Sequence, residues 1–401
     1  MIKHDNRFFL FVIALFCAMP SLSVYIYLPA VKNIAEKLNT TSSLVNQSTS
    51  LFMIGFCLAM VFWGSLSDRI GRKKTLTIGL FLTVLGSYLC TRSNNLEFFA
   101  VARLIQGFGI SSGTIIGMSI VRDHFKGNVL TSSLASIMLV IGFSPMLSPS
   151  IGSAIMYFFN NWHYIYYAIS IYAIVNICLC LLIKESHQPS QNNKTFMDEI
   201  KAYSVLFSNN KFILYSLCSG LAFACYFAYV SISSTVIIGV FHFSNSFFSL
   251  CIPFNICGML LSNFLIKRQL KKTEETGSLI ILGFISSILG ITICASSGYI
   301  YLTVYGMILG MLFITFGMSL FQTLFTSKGL SYVKENVGTA NAINNIFRFG
   351  LASVGAFVIN QFDGIFLMKA LPTLHVIILC IILTLFSIIH RKSQKVDIIL
   401  N

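Results

Sequence analysis

Twelve long apolar runs dominate this chain. They lie at 8–31, 44–66, 75–91, 98–121, 131–158, 162–183, 212–239, 245–266, 276–296, 299–326, 337–359 and 370–390. A helix that crosses a bilayer needs about 20 apolar residues. A backbone in lipid must bond to itself, so only helices or closed barrels can span. Barrel strands alternate over short segments, whereas these runs are continuously apolar. Twelve membrane helices are therefore predicted, with no soluble core. Composition agrees: apolar residues make up 56% of the chain, charged residues 10%, and the mean hydropathy is +0.80. A soluble domain carries about 25% charged residues.

The net charge of +14 does not point to nucleic acid. A nucleic-acid surface gathers its basic residues on one face. Here they fill the short gaps between apolar runs. With the N-terminus inside, 21 of the 27 Lys and Arg residues fall on the cytoplasmic side and 4 outside. The remaining two, Arg103 and Arg348, lie within helices. That asymmetry orients the chain and supports an even helix number. Both termini are expected in the cytoplasm. The run from Phe8 is too long for a signal-peptide core and is read as a retained first helix.

The longest polar segment, 184–211, divides the chain into two six-helix halves, 1–183 and 212–401, with a cytoplasmic linker between them. Basic segments at Gly64–Lys74 and Gly258–Lys272 follow the second helix of each half and suggest an internal duplication. Transporters built from such parallel halves bind their cargo between them.

Gly64-Ser65-Leu66-Ser67-Asp68-Arg69-Ile70-Gly71-Arg72-Lys73-Lys74 is the sharpest motif. Gly64 is expected to let helix ends approach, and Gly71 to permit a tight turn. Asp68 places a negative charge where a helix N-terminus or a basic partner can meet it. Arg103, with Gln106 and Gly107 following, puts a guanidinium inside a helix. Insertion of arginine there costs about 2.5–3.5 kcal/mol, so it either faces a partner or wet cavity or snorkels to the interface. Gly109, Gly113 and Gly117 are four apart and predict one smooth packing face. In the fifth run, Gly142, Pro145, Pro149 and Gly152 predict a kinked helix.

The first of these motifs fits the loop signature of the major facilitator superfamily, G-x-x-x-D-R-x-G-R-R/K, and the second resembles its fourth-helix signature, R-x-x-Q-G. The fifth run resembles the Gly-Pro pattern of superfamily antiporters, with Ser148 and Ser153 where that pattern has glycine. Tyr27-Leu28-Pro29-Ala30 ending the first helix, Arg122-Asp123 after the fourth, Asn161-Trp162-His163 opening the sixth, Phe223–Ser233 in the seventh and Gly338-Thr339-Ala340 opening the eleventh are similar to the Bcr/CflA drug exporters. The resemblance implies the major facilitator fold and a monomer in the bacterial inner membrane. It also implies export of a small molecule by proton antiport and alternating access. Gly64, Asp68, Arg69, Gly71 and Arg72 would form the gate. Arg103, Gln106, Tyr25, Tyr27, Arg348 and Asp123 would be cavity or coupling residues. Two departures stand out. Tyr25 and Ile26 occupy the region where the group has an acid, and Arg348 stands where it tends to have glutamine. An anionic metabolite such as a carboxylate siderophore is the alternative cargo. A transport-inactive receptor or scaffold is the alternative class.

No catalytic motif is present, and the absence of a P-loop argues against ATP-driven transport by this chain. The eleven cysteines form no C-x-x-C and most lie in apolar runs, which suits small apolar filler. No cofactor and no metal site is expected. For a coupling proton the candidates are His375 and the loop-edge acids Glu97, Asp123 and Asp363.

Overall fold

In the computed structural model, residues 6–186, 203–271, 276–333 and 337–400 are described. They contain 12 helices long and apolar enough to cross a membrane, in the order expected, and among the described residues there is no strand. The central part of the segment 184–211 lies outside the described residues. The spans run Arg7–Lys37, Ser42–Ile70, Arg72–Thr91, Leu96–His124, Gly127–Phe159, His163–Leu182, Asn210–Val240, Asn245–Leu270, Gly277–Tyr301, Val304–Ser331, Gly338–Ile359 and Phe366–Ile389.

Most spans are longer than their apolar runs, because capped polar turns extend them. Thr41 Oγ1 accepts from the Leu44 amide at 3.3 Å and starts the second span. Asn95 Oδ1 accepts from Phe98 at 2.8 Å and starts the fourth. Asn209 and Thr303 do the same for the seventh and tenth. Each cap satisfies an amide that the first helical turn leaves without a partner. The tenth span begins later than expected: the ninth continues to Tyr301, and Leu302 turns the chain with a φ of 46°.

The chain divides into two compact units, 1–193 with 242–253, and 194–241 with 254–401. The start of the eighth span belongs to the first unit, where Ser153 Oγ donates to the Asn245 carbonyl at 3.0 Å. Inside each unit the same small-residue contacts recur. Gly55 on the second span lies against the Leu104 carbonyl of the fourth; Gly258 on the eighth lies against the Leu312 carbonyl of the tenth. Gly79 and Gly109 face one another on the third and fourth spans, as Gly283 and Gly317 do on the ninth and tenth. Lipid gives helices no hydrophobic reason to associate, so close backbone approach supplies much of the attraction. These contacts match Gly258 with Gly55, and most of each basic segment lies inside its span, up to Ile70 in the second and Leu270 in the eighth, where the sequence placed both after the helix.

Two local expectations need correction. Tyr27-Leu28-Pro29-Ala30 does not end the first span. The helix Asn6–Tyr25 stops, Leu28–Ala30 forms one 3-10 turn, and the helix Val31–Lys37 resumes. The glycine stripe of the fourth span serves two neighbours: Gly109 meets the third span, while Gly113 and Gly117 meet Phe16 and Cys17 of the first. An i, i+4 stripe drifts around the helix, because four residues exceed one turn of 3.6. In the fifth span the helix runs unbroken through Pro145 and Pro149. Pro145 cannot donate to the Ile141 carbonyl, and Ser144 Oγ takes that place at 3.0 Å.

Candidate functional site

The first unit buries one arginine completely. Arg103 lies seven residues into the fourth span, about 10 Å from its start, and has no exposed surface. It does not snorkel. Its Nη1 donates to Gln106 Oε1 at 2.5 Å, and Gln106 Nε2 donates to Ser87 Oγ of the third span at 2.8 Å. The guanidinium carbon sits 4.6 Å from the Tyr27 ring centroid and 4.5 Å from that of Phe52. The Tyr27 hydroxyl bonds in turn to Thr49 and, at 3.5 Å, to Asn46 Oδ1. Among the described residues, Nε and Nη2 of Arg103 find no hydrogen-bond partner. The charge is therefore held by one amide and two aromatic faces, with no carboxylate in contact. Cation–π attraction strengthens when the cation is desolvated, as here.

The Gly64–Lys74 motif is mostly helix. The second span ends at Ile70, Gly71 alone makes the turn with φ 100°, and the third span starts at Arg72. That φ favours glycine, as expected. Arg72 then collects the local charges. It pairs with Asp68, donates to Ser67 Oγ at 2.6 Å, and pairs through Nε with Asp123 Oδ2 at 3.1 Å. Ser186 Oγ donates to the same Asp123 oxygen at 3.1 Å. Glu185 closes the cluster: its carboxylate accepts from the backbone amides of Arg72 and Lys73 at 2.9 and 3.1 Å. A carboxylate there meets the positive end of the third helix. Lys73 Nζ donates to the Leu181 and Ile183 carbonyls that end the sixth.

In the second unit, Arg348 lies mid-way along the eleventh span and is half-buried. With the Gln322 amide turned carbonyl-first, Oε1 accepts from Arg348 Nε at 2.9 Å and Nη2 at 3.1 Å. The guanidinium packs over Phe223, 4.3 Å from the ring centroid, and beside Phe349 at 5.3 Å. Asn255 Nδ2 donates to the Tyr229 hydroxyl at 2.8 Å. His375, fully buried on the twelfth span, bonds through Nε2 to the Cys225 carbonyl at 2.9 Å. A carbonyl only accepts, so Nε2 carries the proton.

The residues singled out in the sequence thus separate into three places. Arg103, Gln106 and Tyr27 come together. Tyr25 is buried at the end of the first helical segment and is not one of the rings stacked on Arg103. Asp123 leaves this group: it lies at the far end of the fourth span, about 30 Å along the helix from Arg103, in the cluster with Asp68 and Arg72. Arg348 belongs to the second unit. Gly64 does not bring helix ends together, since a Cβ built there meets nothing within 4 Å, and the same holds for Gly142. Gly152 does make a close approach, to the Ile26 carbonyl in the break of the first span. Arg69 is in the last turn of the second helix.

Sequence reasoning missed Phe52, Ser87, Gln322 and Glu185. Each joins its partner across helices from an apolar run or polar segment without local pattern. No group of three or more His, Cys, Asp or Glu that could hold a metal occurs among the described residues.

Comparison with known proteins adds the family. Residues 11–356 match the family model of the Major Facilitator Superfamily. A bicyclomycin resistance protein homolog of Haemophilus influenzae is 25% identical over 395 residues, 98% of each chain. Multidrug resistance protein MdtL of a Shewanella species is 25% identical over 330 residues, 82% of this chain and 73% of that protein. The solved structure of the nucleoside transporter NupG shares the fold with a TM-score of 0.75 at 14% identity, covering 95% of this chain and 100% of that chain.

Proposed function

This chain belongs to the major facilitator superfamily, and from that premise we propose that it exports a small molecule by proton antiport, through alternating access of the halves 1–183 and 212–401. The segment 184–211 serves as their cytoplasmic linker. The protein acts in the bacterial inner membrane, with both termini in the cytoplasm, on the strength of the basic-residue asymmetry.

The observation that carries this reading is the buried Arg103. A guanidinium without a carboxylate partner inside a membrane helix destabilises the fold, and such residues mark substrate or ion pathways. The full-length likeness to a bicyclomycin resistance homolog supports export of drug-like cargo. Alternating access needs an element with two arrangements. The Asp68–Arg72–Asp123 cluster suits that role, because its pairs lie at helix ends and join the second, third and fourth spans. Asp68 would brace one state of that cluster through its pair with Arg72.

Antiport also needs a group that changes charge. Asp123 is favoured over Glu97, Asp363 and His375, because its protonation would loosen both Arg72 and Ser186. Proteoliposomes carrying the full chain test this. Protein-dependent flux of the cargo the chain carries, with salicylate and ethidium assayed in parallel against protein-free liposomes, should follow an imposed pH gradient, and Asp123→Asn should abolish that dependence. Flux indifferent to the gradient in the unmodified protein would remove the antiport reading.

A further inference from the structure

The charge inside the spans has one sign. Among the described residues, every acidic residue lies outside the twelve spans or within three residues of a span end. Two arginines lie deeper: Arg103, which is sealed, and Arg348, which is half-buried. Arg348 stands ten residues from the start of its span, about 15 Å along the helix. A guanidinium at that depth that keeps exposed surface does not turn it to lipid, since charged groups at mid-membrane face the protein interior or a wet cavity.

The surroundings of Arg348 describe a recognition surface. Gln322 takes the Nε–Nη2 edge of the guanidinium and fixes its plane. Phe223 covers one face. Phe223 also packs edge-on to Phe349, 5.7 Å away, and lies 6.3 Å from Tyr226. Phe223, Tyr226 and Phe349 are all half-buried, as the arginine is. An oriented guanidinium is a planar fork that matches a carboxylate, and it remains charged at any physiological pH. Rings beside it offer contact to an apolar body, whereas a small hydrated anion would gain nothing from them.

We infer that the cargo of the exporter proposed above is an amphipathic carboxylate, its charged group recognised by Arg348 and its apolar body by Phe223, Tyr226 and Phe349. This assignment rests on the transporter reading and names its substrate class. It runs against a lipophilic cation, which the one-signed charge of the spans repels. Gln322 is a positioning residue that holds the guanidinium from behind.

Equilibrium binding to the purified full-length protein in nanodiscs of neutral phosphatidylcholine tests it. The probes are salicylate, phenyl phosphate and ethidium, read by the shift in thermal unfolding. Salicylate should stabilise the unmodified protein, and Arg348→Gln should weaken its binding at least tenfold, about 1.4 kcal/mol. Arg348→Lys, which keeps the charge and loses the fork, should fall between. Ethidium should bind Arg348→Gln more tightly than the unmodified protein. Equal salicylate binding by both proteins would overturn the inference, as would ethidium binding that salicylate leaves unchanged. A phenyl phosphate affinity above that of salicylate would overturn the carboxylate assignment. If Arg348→Gln does not fold, the Arg348→Lys comparison and the competition on the unmodified protein still decide the matter. Salicylate that binds through Arg348, with neither salicylate nor ethidium carried in proteoliposomes, upholds the anion site and rejects the exporter reading.

Discussion

Arg72, the first residue of the third span, pairs with Asp68 in the last turn of the second across the single-residue turn at Gly71. The Asp68 side chain keeps 58% of its surface exposed. The carboxylate is screened by solvent and the largely covered Arg72 keeps Asp123 and Ser67 as partners, so the pair contributes about 0–1 kcal/mol to stability. Asp68→Asn should therefore leave expression and thermal unfolding nearly unchanged. Transport should fall tenfold or more, equivalent to about 1.4 kcal/mol, because one conformational state loses its brace. Flux equal to that of the unmodified protein, at equal expression, would contradict a gating role.

The glycines separate into those the packing requires and those it does not. A Cβ at Gly107 would collide with the Phe52 backbone, while one at Gly142 would meet open space. Gly107→Ala should cost about 1–3 kcal/mol, the range for overpacking a tight contact. Gly142→Ala should leave the melting temperature in detergent unchanged. Equal melting of the two variants would show that the contact between the second and fourth spans does not depend on Gly107.

Much of this was legible beforehand. Twelve spans could be counted because apolar length is a one-dimensional property of the chain. The turn at Gly71 and the interior position of Arg103 were visible for the same reason, since a motif and a charge in an apolar run are local signals. Helix ends were not, because Thr41, Asn95 and Thr303 look like loop residues until their side chains cap a helix. Glu185 was hidden in a polar segment, and its partner Arg72 lies 113 residues away in the chain. Gln322 was equally silent, being an ordinary amide in an apolar run whose partner sits on another helix. Asp123 was legible as a loop-edge acid after the fourth helix, but its pairing with Arg72 was not, since the two lie 51 residues apart in the chain.

Arg103 offers a test that separates stability from function. It is fully buried, and two of its nitrogens have no hydrogen-bond partner among the described residues. Replacing a buried charge by an apolar side chain of similar volume is often neutral or stabilising. Arg103→Met should therefore reach the membrane and unfold at the same temperature as the unmodified protein, or higher. Its transport should be lost. A variant that no longer accumulates in the membrane would assign Arg103 a structural role instead.

Counterflow is the most direct measurement of whether the chain is a carrier. Proteoliposomes containing the full chain are loaded with an unlabelled compound and diluted into a trace of the same compound labelled, with salicylate and ethidium as the two cargoes. A carrier that works by alternating access exchanges one molecule for another, so labelled compound should accumulate transiently and saturably, and Asp68→Asn should suppress the overshoot. Binding of label by the purified protein with no overshoot for either cargo would contradict the transporter account and point to a receptor.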